Sequence, residues 1–332
     1  WSGMGYKGKL WMGEYESKEV REKRYQALVN QIRQLDPDII GVHEANKLPA
    51  YAERLALDLG YDVIYHVGVG GIRLGSVGLP WNLREGDAIL AKKDLQMEFV
   101  GRIQLSGGYV GNFASFHFSD ATQILAAKVV NRNRSLYVFT THWHASVPDS
   151  PEILGKAETL RRSLRAENDD FNKVMEKIKE GVDWRLSESQ KTLDFIQKTA
   201  GDHPFILMGD FNATSDSREI KNLLEFGMSD AYRSVNPTEQ GFTWEPETNL
   251  NHKMHYLSKL EKENNNQDLY VDLESIYRGT PKRIDYIFLG PNSALDSHEI
   301  SVKSSRVVMD EVLDGVHASD HYGIFSEIEF GE

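Results

Sequence analysis

Polar side chains that can bind metal ions or move protons stand at or beside the ends of five apolar stretches of this sequence. The segments are Val42-His43-Glu44, Thr140-Thr141-His142, Met208-Gly209-Asp210-Phe211-Asn212, Arg283-Ile284-Asp285-Tyr286 and Ser319-Asp320-His321. One segment of this kind would be unremarkable. Five of them, all carrying Asp, Glu, His or Asn, predict a single pocket at one edge of a β-sheet.

The residue types in these segments suit the hydrolysis of a phosphoester. Carboxylates such as Glu44 and Asp320 suit Mg²⁺, which keeps several waters and leaves room for substrate oxygens. A histidine paired with an aspartate can hold a defined tautomer and face the phosphate. A further carboxylate can orient or deprotonate the attacking water, and an amide such as Asn212 can donate a hydrogen bond to developing charge.

Most of these positions also have a purely structural interpretation. Asp210 and Asn212 could form a turn after a strand, because both side chains readily bond to nearby backbone. Asp285 could pair with Arg283, and Glu44 could simply begin a loop. These alternatives are independent of one another, so their joint occurrence is implausible.

A second histidine follows His142 two residues later. If the strand continued, His142 and His144 would share one face and could bind a transition metal. The other interpretation is that one or both are hydrogen-bonded at the end of a sheet, and we favour it for His144.

Composition limits the partners that this chain can have. The 332 residues carry 38 Lys and Arg against 50 Asp and Glu, a formal charge of -12. Nucleic-acid binders usually neutralise phosphates with basic residues, so this charge disfavours long nucleic acids without excluding short or single-stranded ones. It favours a metal site, because a bound cation can supply positive charge locally.

Two absences narrow the function further. No apolar run approaches the roughly 20 residues of a transmembrane helix. The chain has no cysteine, which excludes disulfides, thiolate catalysis and Cys-ligated zinc. We expect a monomer that takes a small-molecule or lipid phosphoester as its partner.

Strands and helices alternate along the whole sequence, which predicts one α/β domain over residues 1–332. Apolar spacing predicts a helix over residues 17–35 with Ser17 as its N-cap, and a second helix over about 49–59. The predicted strands are residues 39–42, 61–66, 87–91, 123–130, 135–141, 205–208, 283–289, 298–306 and 323–330.

Three stretches depart from this alternation. Residues 151–199 are charged and nearly free of glycine, which predicts an insertion of two or three helices outside a sheet. Residues 247–275 are polar and predict a long loop or insertion. The glycine-rich stretch 67–85 lacks a phosphate-loop pattern, so we interpret it as a flexible surface loop.

The five segments, together with Gly86-Asp87-Ala88-Ile89-Leu90, resemble the motifs of the endonuclease/exonuclease/phosphatase superfamily in type and order. This family includes deoxyribonucleases, abasic-site endonucleases, inositol polyphosphate 5-phosphatases and neutral sphingomyelinases. The resemblance covers nearly the whole chain. It implies a four-layer α/β sandwich, in which two packed mixed β-sheets are flanked by helices.

The same resemblance implies a role for each site residue. It implies that Glu44 ligates Mg²⁺, or alternatively Mn²⁺ or Ca²⁺, with Asp320 close to the same ion. By the same resemblance, Asp210 positions or activates the attacking water and Asn212 holds the phosphate. His142 stabilises the transferring phosphoryl group or helps the leaving group. His321, oriented by Asp285, contacts the phosphate and serves as a base. In-line attack by water follows from these roles.

One family feature is missing from this sequence. Family members carry an Asn metal ligand on their first strand, and we expect that Asn to lie just upstream of Trp1 in a trimmed chain. A trimmed mature end would favour a secreted or periplasmic location, and an untrimmed one a cytoplasmic location.

Two motifs bear on the substrate. Thr141-His142-Trp143-His144-Ala145 resembles the Thr-His-x-x-Ala segment of sphingomyelinase-like members, and Gly241-Phe242-Thr243-Trp244 resembles a loop of bacterial secreted members. His144, Trp143 and Trp244 are therefore candidate substrate contacts, although burial is the commoner fate of a tryptophan.

Three functions remain open at this point. The first is a phosphodiesterase or phosphatase that acts on a small or lipid-linked phosphate, which the acidic charge and His142 favour. The second is a nuclease, which would need a basic stripe beside the pocket, and the candidates for it are Arg132, Arg134, Lys282 and Arg283. The third is a non-catalytic binding module on the same fold.

Overall fold

The first amphipathic stretch forms a helix with the predicted cap. In the computed structural model, helix α1 spans Lys18–Leu35, and Ser17 accepts a hydrogen bond from the backbone N of Val20 at 3.2 Å. Asp36 ends the helix in the left-handed conformation, with φ of 47°. The predicted helix over residues 17–35 is therefore confirmed.

The structure describes residues 4–7, 11–14, 16–69, 72–74, 77–79, 85–110, 113–116, 121–131, 134–164, 168–252, 269–297 and 299–330. The other helices are α2 Ala50–Leu59, α3 Pro151–Leu164, α4 Asn168–Ala200, α5 Arg218–Glu225, α6 Ala231–Val235, α7 Leu269–Arg278 and α8 Asn292–Asp296. None of the described helices combines the length and apolar content that a membrane span requires.

The strands follow the predicted alternation with helices and add several short elements to it. They are β1 Met4–Lys7, β2 Trp11–Glu14, β3 Ile39–Ala45, β4 Tyr61–Val69, β5 Ile72–Leu74, β6 Val77–Leu79, β7 Glu85–Lys92, β8 Glu98–Gln104, β9 Tyr109–Val110, β10 Ala114–Phe116, β11 Gln123–Asn131, β12 Arg134–His142, β13 Phe205–Asp210, β14 Ser229–Asp230, β15 Asp285–Gly290, β16 Ile300–Val308 and β17 Gly323–Phe330.

The largest sheet has six strands in the order β14-β15-β13-β12-β11-β8. The pair β12–β13 is parallel and the other pairs are antiparallel, so the sheet is mixed. A second layer contains the three-stranded sheet β3-β7-β4 and the hairpin β16-β17.

Three apolar cores separate the layers. One lies between the six-stranded sheet and helices α4 and α5 and includes Phe139, Leu207 and Phe211. A second joins the three-stranded sheet to α1 and α2. The third, with residues such as Ile89 and Val138, lies between the two sheet layers. The order helix, sheet, sheet, helix confirms the predicted α/β sandwich.

The insertions and the glycine-rich stretch differ in part from expectation. Residues 151–199 form two helices, α3 and α4, within the predicted range of two or three. Within the stretch 247–275, which was predicted as a long loop or insertion, α7 begins at Leu269, and residues 253–268 lie outside the described part of the chain. The glycine-rich stretch is likewise no simple loop, since β5 and β6 pair within it.

Candidate active site

Three predicted site residues stand side by side in one row of the six-stranded sheet. His142 on β12 is in register with Asp210 on β13, and Asp210 is in register with Asp285 on β15. Neighbouring strands lie about 4.8 Å apart, and residues in one row point to the same face. The pairing of the strands therefore brings these three side chains together at one edge of the sheet.

A turn directly after β13 adds the amide of Asn212 to this row. Asn212 has a φ of 48°, and its backbone N donates to Oδ1 of Asp210 at 2.9 Å. Its side-chain nitrogen donates to the carbonyl of Trp143 at 3.0 Å and lies 3.2 Å from Nε2 of His142. Asp210 and Asn212 thus form the turn that the structural interpretation predicted, and the same turn aims Asn212 at His142.

The facing sheet contributes Glu44 through a distortion of β3. The pairing of β3 with β7 shifts register between Val42 and Ala45, and Glu44 has a φ of 52°. A bulge of this kind re-aims side chains that regular alternation would send to opposite faces. Glu44 consequently lies 3.9 Å from Nε2 of His142, and Nε2 of His43 lies 2.8 Å from the hydroxyl of Thr140 on the other sheet.

His321 and Asp285 form a hydrogen-bonded pair. Nδ1 of His321 lies 2.9 Å from Oδ2 of Asp285, so the proton on Nδ1 is donated to the carboxylate. This bond leaves Nε2 free to face the pocket, at 3.9 Å from Oδ2 of Asp210. The same Asp210 oxygen lies 3.6 Å from Nε2 of His142, so Asp210 stands between the two histidines.

A single cavity of about 1040 Å³ reaches these groups. Among the residues that line it are five of the predicted site residues and one further histidine, which are Glu44, Asp210, Asp285, Asp320, His321 and His43. The remaining two predicted residues are His142 and Asn212. His142 lies next to Glu44 and Asp210, and Asn212 lies next to His142. The structure therefore brings together all seven residues that the sequence predicted to meet.

The crowding of carboxylates shifts the proton affinity of both histidines. Burial alone would lower the pKa of His321, but the charges of Asp285 and Asp210 outweigh burial and raise it to about 10. For His142, the charges of Asp210 and Glu44 likewise outweigh burial and raise the pKa to about 9. Burial and the charge of Asp285 raise the pKa of Asp210 to about 6.

The donor set fits a divalent cation. Asp210, Asp285 and His321 each offer a ligand atom, and these atoms lie within 4.8 Å of one another. Glu44 and Asp320 add carboxylates on the wall of the same cavity. Acidic groups crowded in this way repel one another unless a cation balances them. Oxygen donors of this type suit a hard cation such as Mg²⁺.

Two of the predicted substrate contacts, Trp143 and His144, pack against neighbouring aromatic rings. Trp143 is fully buried, and its ring packs edge-on against Phe211 with 4.7 Å between the ring centroids. The strand ladder continues one residue past β12, because the backbone N of Trp143 donates to the carbonyl of Asp210 at 2.9 Å, and the Trp143 ring packs into the core on the helix side of the sheet, opposite to His142. His144 lies beyond the strand, so the alternation does not extend to it, and its ring packs against Trp184 of α4 at 4.4 Å.

Trp244 does lie beside the site. Its backbone forms bridges with Lys282 and His321, and its ring lies 5.0 Å from that of His321. The ring of His252, a residue outside the predicted site, also packs against the Trp244 ring, with 3.9 Å between the ring centroids. Burial lowers the pKa of His252 to about 4, so this ring is neutral near pH 7.

Two further residues beside the site were not assigned a role from the sequence. Burial lowers the pKa of His43 to about 3. Asp87 is also buried, accepts a hydrogen bond from Gln123 at 3.1 Å and has a pKa raised by burial to about 7. Both residues lie within the family-like motifs of the sequence, but their local pattern is that of ordinary strand residues.

Comparison with known proteins agrees with this fold. The model of the endonuclease/exonuclease/phosphatase family matches residues 182–321. A solved structure of humanized D. rerio TDP2 with 14 mutations is similar at a TM-score of 0.57 and 16% identity, over 94% of each chain. No curated protein matches the chain at a significant level.

Two other solved structures have the same degree of likeness. An endonuclease/exonuclease/phosphatase protein from Bacteroides vulgatus has a TM-score of 0.56 at 16% identity, over 93% of this chain and 91% of that chain. The catalytic domain of human nocturnin, with a bound sulfate anion, has a TM-score of 0.55 at 14% identity, over 93% and 87%. At such low identity, these structures show a shared fold.

Proposed function

We propose that this chain, which belongs to the endonuclease/exonuclease/phosphatase superfamily of metal-dependent phosphoester hydrolases, is a Mg²⁺-dependent phosphodiesterase or phosphatase. Its substrate is a small-molecule or lipid-linked phosphate, and it acts as a monomer. The observation that carries this proposal is the His321–Asp285 pair at 2.9 Å, with Asp210 between His321 and His142.

Each side chain has a defined task in this proposal. Asp210 orients the attacking water and accepts its proton, since a base must lie within hydrogen-bond reach of the proton it removes. His321, held by Asp285, donates from Nε2 to a phosphate oxygen. Asn212 and His142 stabilise the charge that develops on the phosphoryl group and the leaving oxygen.

The metal ion has its own residues in this scheme. Glu44 and Asp320, which line the same cavity, would hold it. When bound, a divalent cation neutralises phosphate charge and polarises the P–O bond.

The surroundings of the site favour a small or lipid-linked substrate over a long nucleic acid. Two of the basic residues that could have formed a stripe are buried and engaged elsewhere. The ammonium of Lys282 donates to the carbonyls of Tyr277 and Thr280, and Arg283 is paired with Asp230 at 2.6 Å. Arg132 lies outside the described residues, and Arg134 stands at the opposite end of β12 from His142.

A metal-dependent nuclease is the second candidate. One similar solved structure is D. rerio TDP2 complexed with a single-stranded DNA product, at a TM-score of 0.55 and 18% identity. A short single strand would require few basic contacts, so the acidic charge of this chain weighs less against it. A non-catalytic module is disfavoured, because crowding Glu44, Asp210, Asp285 and Asp320 is costly without a bound cation.

A substrate panel tests the proposal. Turnover of bis(4-nitrophenyl) phosphate, a phosphate monoester, sphingomyelin and single- and double-stranded DNA is measured with Mg²⁺ and with EDTA. We expect Mg²⁺-dependent turnover that is fastest on the small or lipid-linked substrates. Equal or faster cleavage of DNA would overturn the substrate assignment.

The active-site assignment needs a matched pair of variants. His321→Ala removes the imidazole that faces the phosphate, and we expect it to abolish turnover while the fold persists. His203→Ala removes an exposed imidazole near the start of β13, at the far end of that strand from Asp210, and serves as the control. Full turnover by His321→Ala would contradict the mechanism.

A further inference from the structure

The two members of the His321–Asp285 pair come from different layers of the sandwich. Asp285 begins β15 of the six-stranded sheet, whereas His321 precedes β17 of the separate hairpin β16-β17. The segment of residues 243–252, here called the strap, contacts both backbones. It includes the last two residues of the Gly-Phe-Thr-Trp motif, which the proposed mechanism does not use.

On the Asp285 side, the strap acts through the hydroxyl of Thr243. This side chain is fully buried, and its oxygen accepts hydrogen bonds from the backbone N of Ile284 and of Asp285, each at 3.2 Å. Two backbone bonds with Lys282, donated by Thr243 and Trp244, fix the strap to the residues just before β15. The backbone position of Asp285 is therefore set partly by the strap.

On the His321 side, the strap acts through two buried amides. Asn251 donates to the carbonyls of His317 and Ser319 at 3.0 and 2.9 Å, and Asn249 also donates to the carbonyl of Ser319 at 2.9 Å. Both side chains are at most 1% exposed. They hold the backbone that leads into Asp320 and His321.

Further strap contacts surround His321 itself. Nε2 of His252 donates to the carbonyl of Asp320 at 2.7 Å, because a carbonyl oxygen can only accept. The backbone N of Tyr322 donates to the carbonyl of Thr243 at 2.7 Å. The residues on both sides of His321 are thus bonded to the strap.

Asparagine is chemically specific at position 251. Its amide nitrogen supplies two donors, and both are used by carbonyls two residues apart in the chain. Aspartate has the same shape but no donor when ionised, so it would leave two carbonyls facing a carboxylate in a buried site. The contact therefore depends on hydrogen-bond donors as well as on packing.

We infer that the strap sets the geometry of the His321–Asp285 pair, and that Thr243 and Asn251 are positioning residues for the reaction. This inference rests on the proposed function, because it assigns the strap to the same site. A displacement of about 1 Å at a reacting group can cost about 100-fold in rate. The strap variants should accordingly lower kcat and leave KM nearly unchanged.

A double-mutant cycle on turnover of bis(4-nitrophenyl) phosphate with Mg²⁺ tests this inference. The strap variants are Asn251→Asp and Thr243→Val, both close in shape to the native residue, and each is combined with Asp285→Asn. If the strap acts through the pair, each strap variant alone loses about 100-fold in kcat. In the Asp285→Asn background, the same variants lose less than about 2-fold.

The outcomes separate three cases. Equal losses in both backgrounds, or no loss of kcat for Thr243→Val, would overturn the inference. Full turnover by Asp285→Asn alone would instead overturn the mechanism under the proposed function. Asn236→Asp is the matched control, because Asn236 also donates to a backbone carbonyl, that of Ser305 at 2.7 Å, away from the site. It should lower the melting temperature and leave kcat unchanged, as a purely structural amide would.

Discussion

Buried charges occur in two different arrangements in this protein. Several of those away from the site form matched pairs, such as Arg185 with Glu219 at 2.8 Å and Arg24 with Glu16 at 2.8 Å. At the site, four carboxylates face only histidines. A buried carboxylate beside a guanidinium is balanced within the fold, whereas the site groups depend on protons or on a cation for balance. The matched pairs therefore serve the fold, and the unbalanced cluster serves a ligand.

Asp210→Asn should give the largest difference between the site cluster and the matched pairs, because it should change turnover much more than stability. This change keeps the shape of the side chain, including the oxygen that accepts from the backbone N of Asn212, but removes the base and one of several mutually repelling charges. Turnover should fall by up to about 10⁴-fold, and the melting temperature should stay the same or rise. Kinetics and thermal unfolding of the same preparation measure both quantities. Retained turnover would show that the cluster does not supply the base.

Glu219→Gln should do the opposite, lowering stability strongly while leaving turnover nearly unchanged. Arg185 is fully buried, and Glu219 is its charged partner. Removing one member of a buried pair leaves an uncompensated charge and should cost about 3–5 kcal/mol of unfolding free energy. The turnover per folded molecule should not change by more than about 2-fold, because no catalytic group is lost. A variant as stable as the native protein would show that this pair contributes nothing to the fold.

Metal removal should also distinguish the carboxylate cluster of the site from the matched ion pairs, through a smaller change in stability. A cation that binds only the folded state at 100 times its Kd stabilises that state by about 2.7 kcal/mol. Mg²⁺ should therefore raise the melting temperature of the native protein, and EDTA should reverse the change. Glu44→Gln should lose this response, whereas Glu219→Gln should keep it at its lower baseline. An equal response in both variants would place the cation outside the cluster.

The smallest effect concerns the acid stability of the metal-free protein. His43 has a folded pKa of about 3, well below its ordinary value of 6.5, because burial disfavours its charged form. The unfolded chain thus binds more protons between pH 6.5 and pH 3, and stability falls as the pH falls through this window. In His43→Gln, the unfolding free energy measured in EDTA should therefore fall less steeply as the pH is lowered from 6.5 to 3. An unchanged slope would mean that His43 titrates normally.

Much of the fold was predictable because the local patterns are strong. The amphipathic spacing after Ser17 predicted α1 to within one residue, and the apolar runs predicted the strands that carry His142 and Asp210. The helix that begins at Leu269 was missed, because a polar stretch surrounds it and its contacts are tertiary. The short strands of the glycine-rich stretch were missed, because glycine-rich composition favours a loop and because β10, the second partner of β5, lies 40 residues further along the sequence.

The candidate site was predictable in composition but less so in orientation. Alternation along β12 could have excluded Trp143, since it must face opposite to His142. The orientation of Glu44 had no such local cue, because it results from the bulge in β3 against β7. Nor did any motif indicate that Thr243 and Asn251 would contact both halves of the His321–Asp285 pair.

The sequence by itself determined which chemical groups are available, where apolar strands end, and that the chain carries a large excess of acid. Those properties are local, since they follow from residue type and short-range spacing. Strand register, the bulge and the strap were decided by the tertiary structure alone. They depend on which strands pair and at what offset, and a shift of one residue would send every side chain of a strand to its other face.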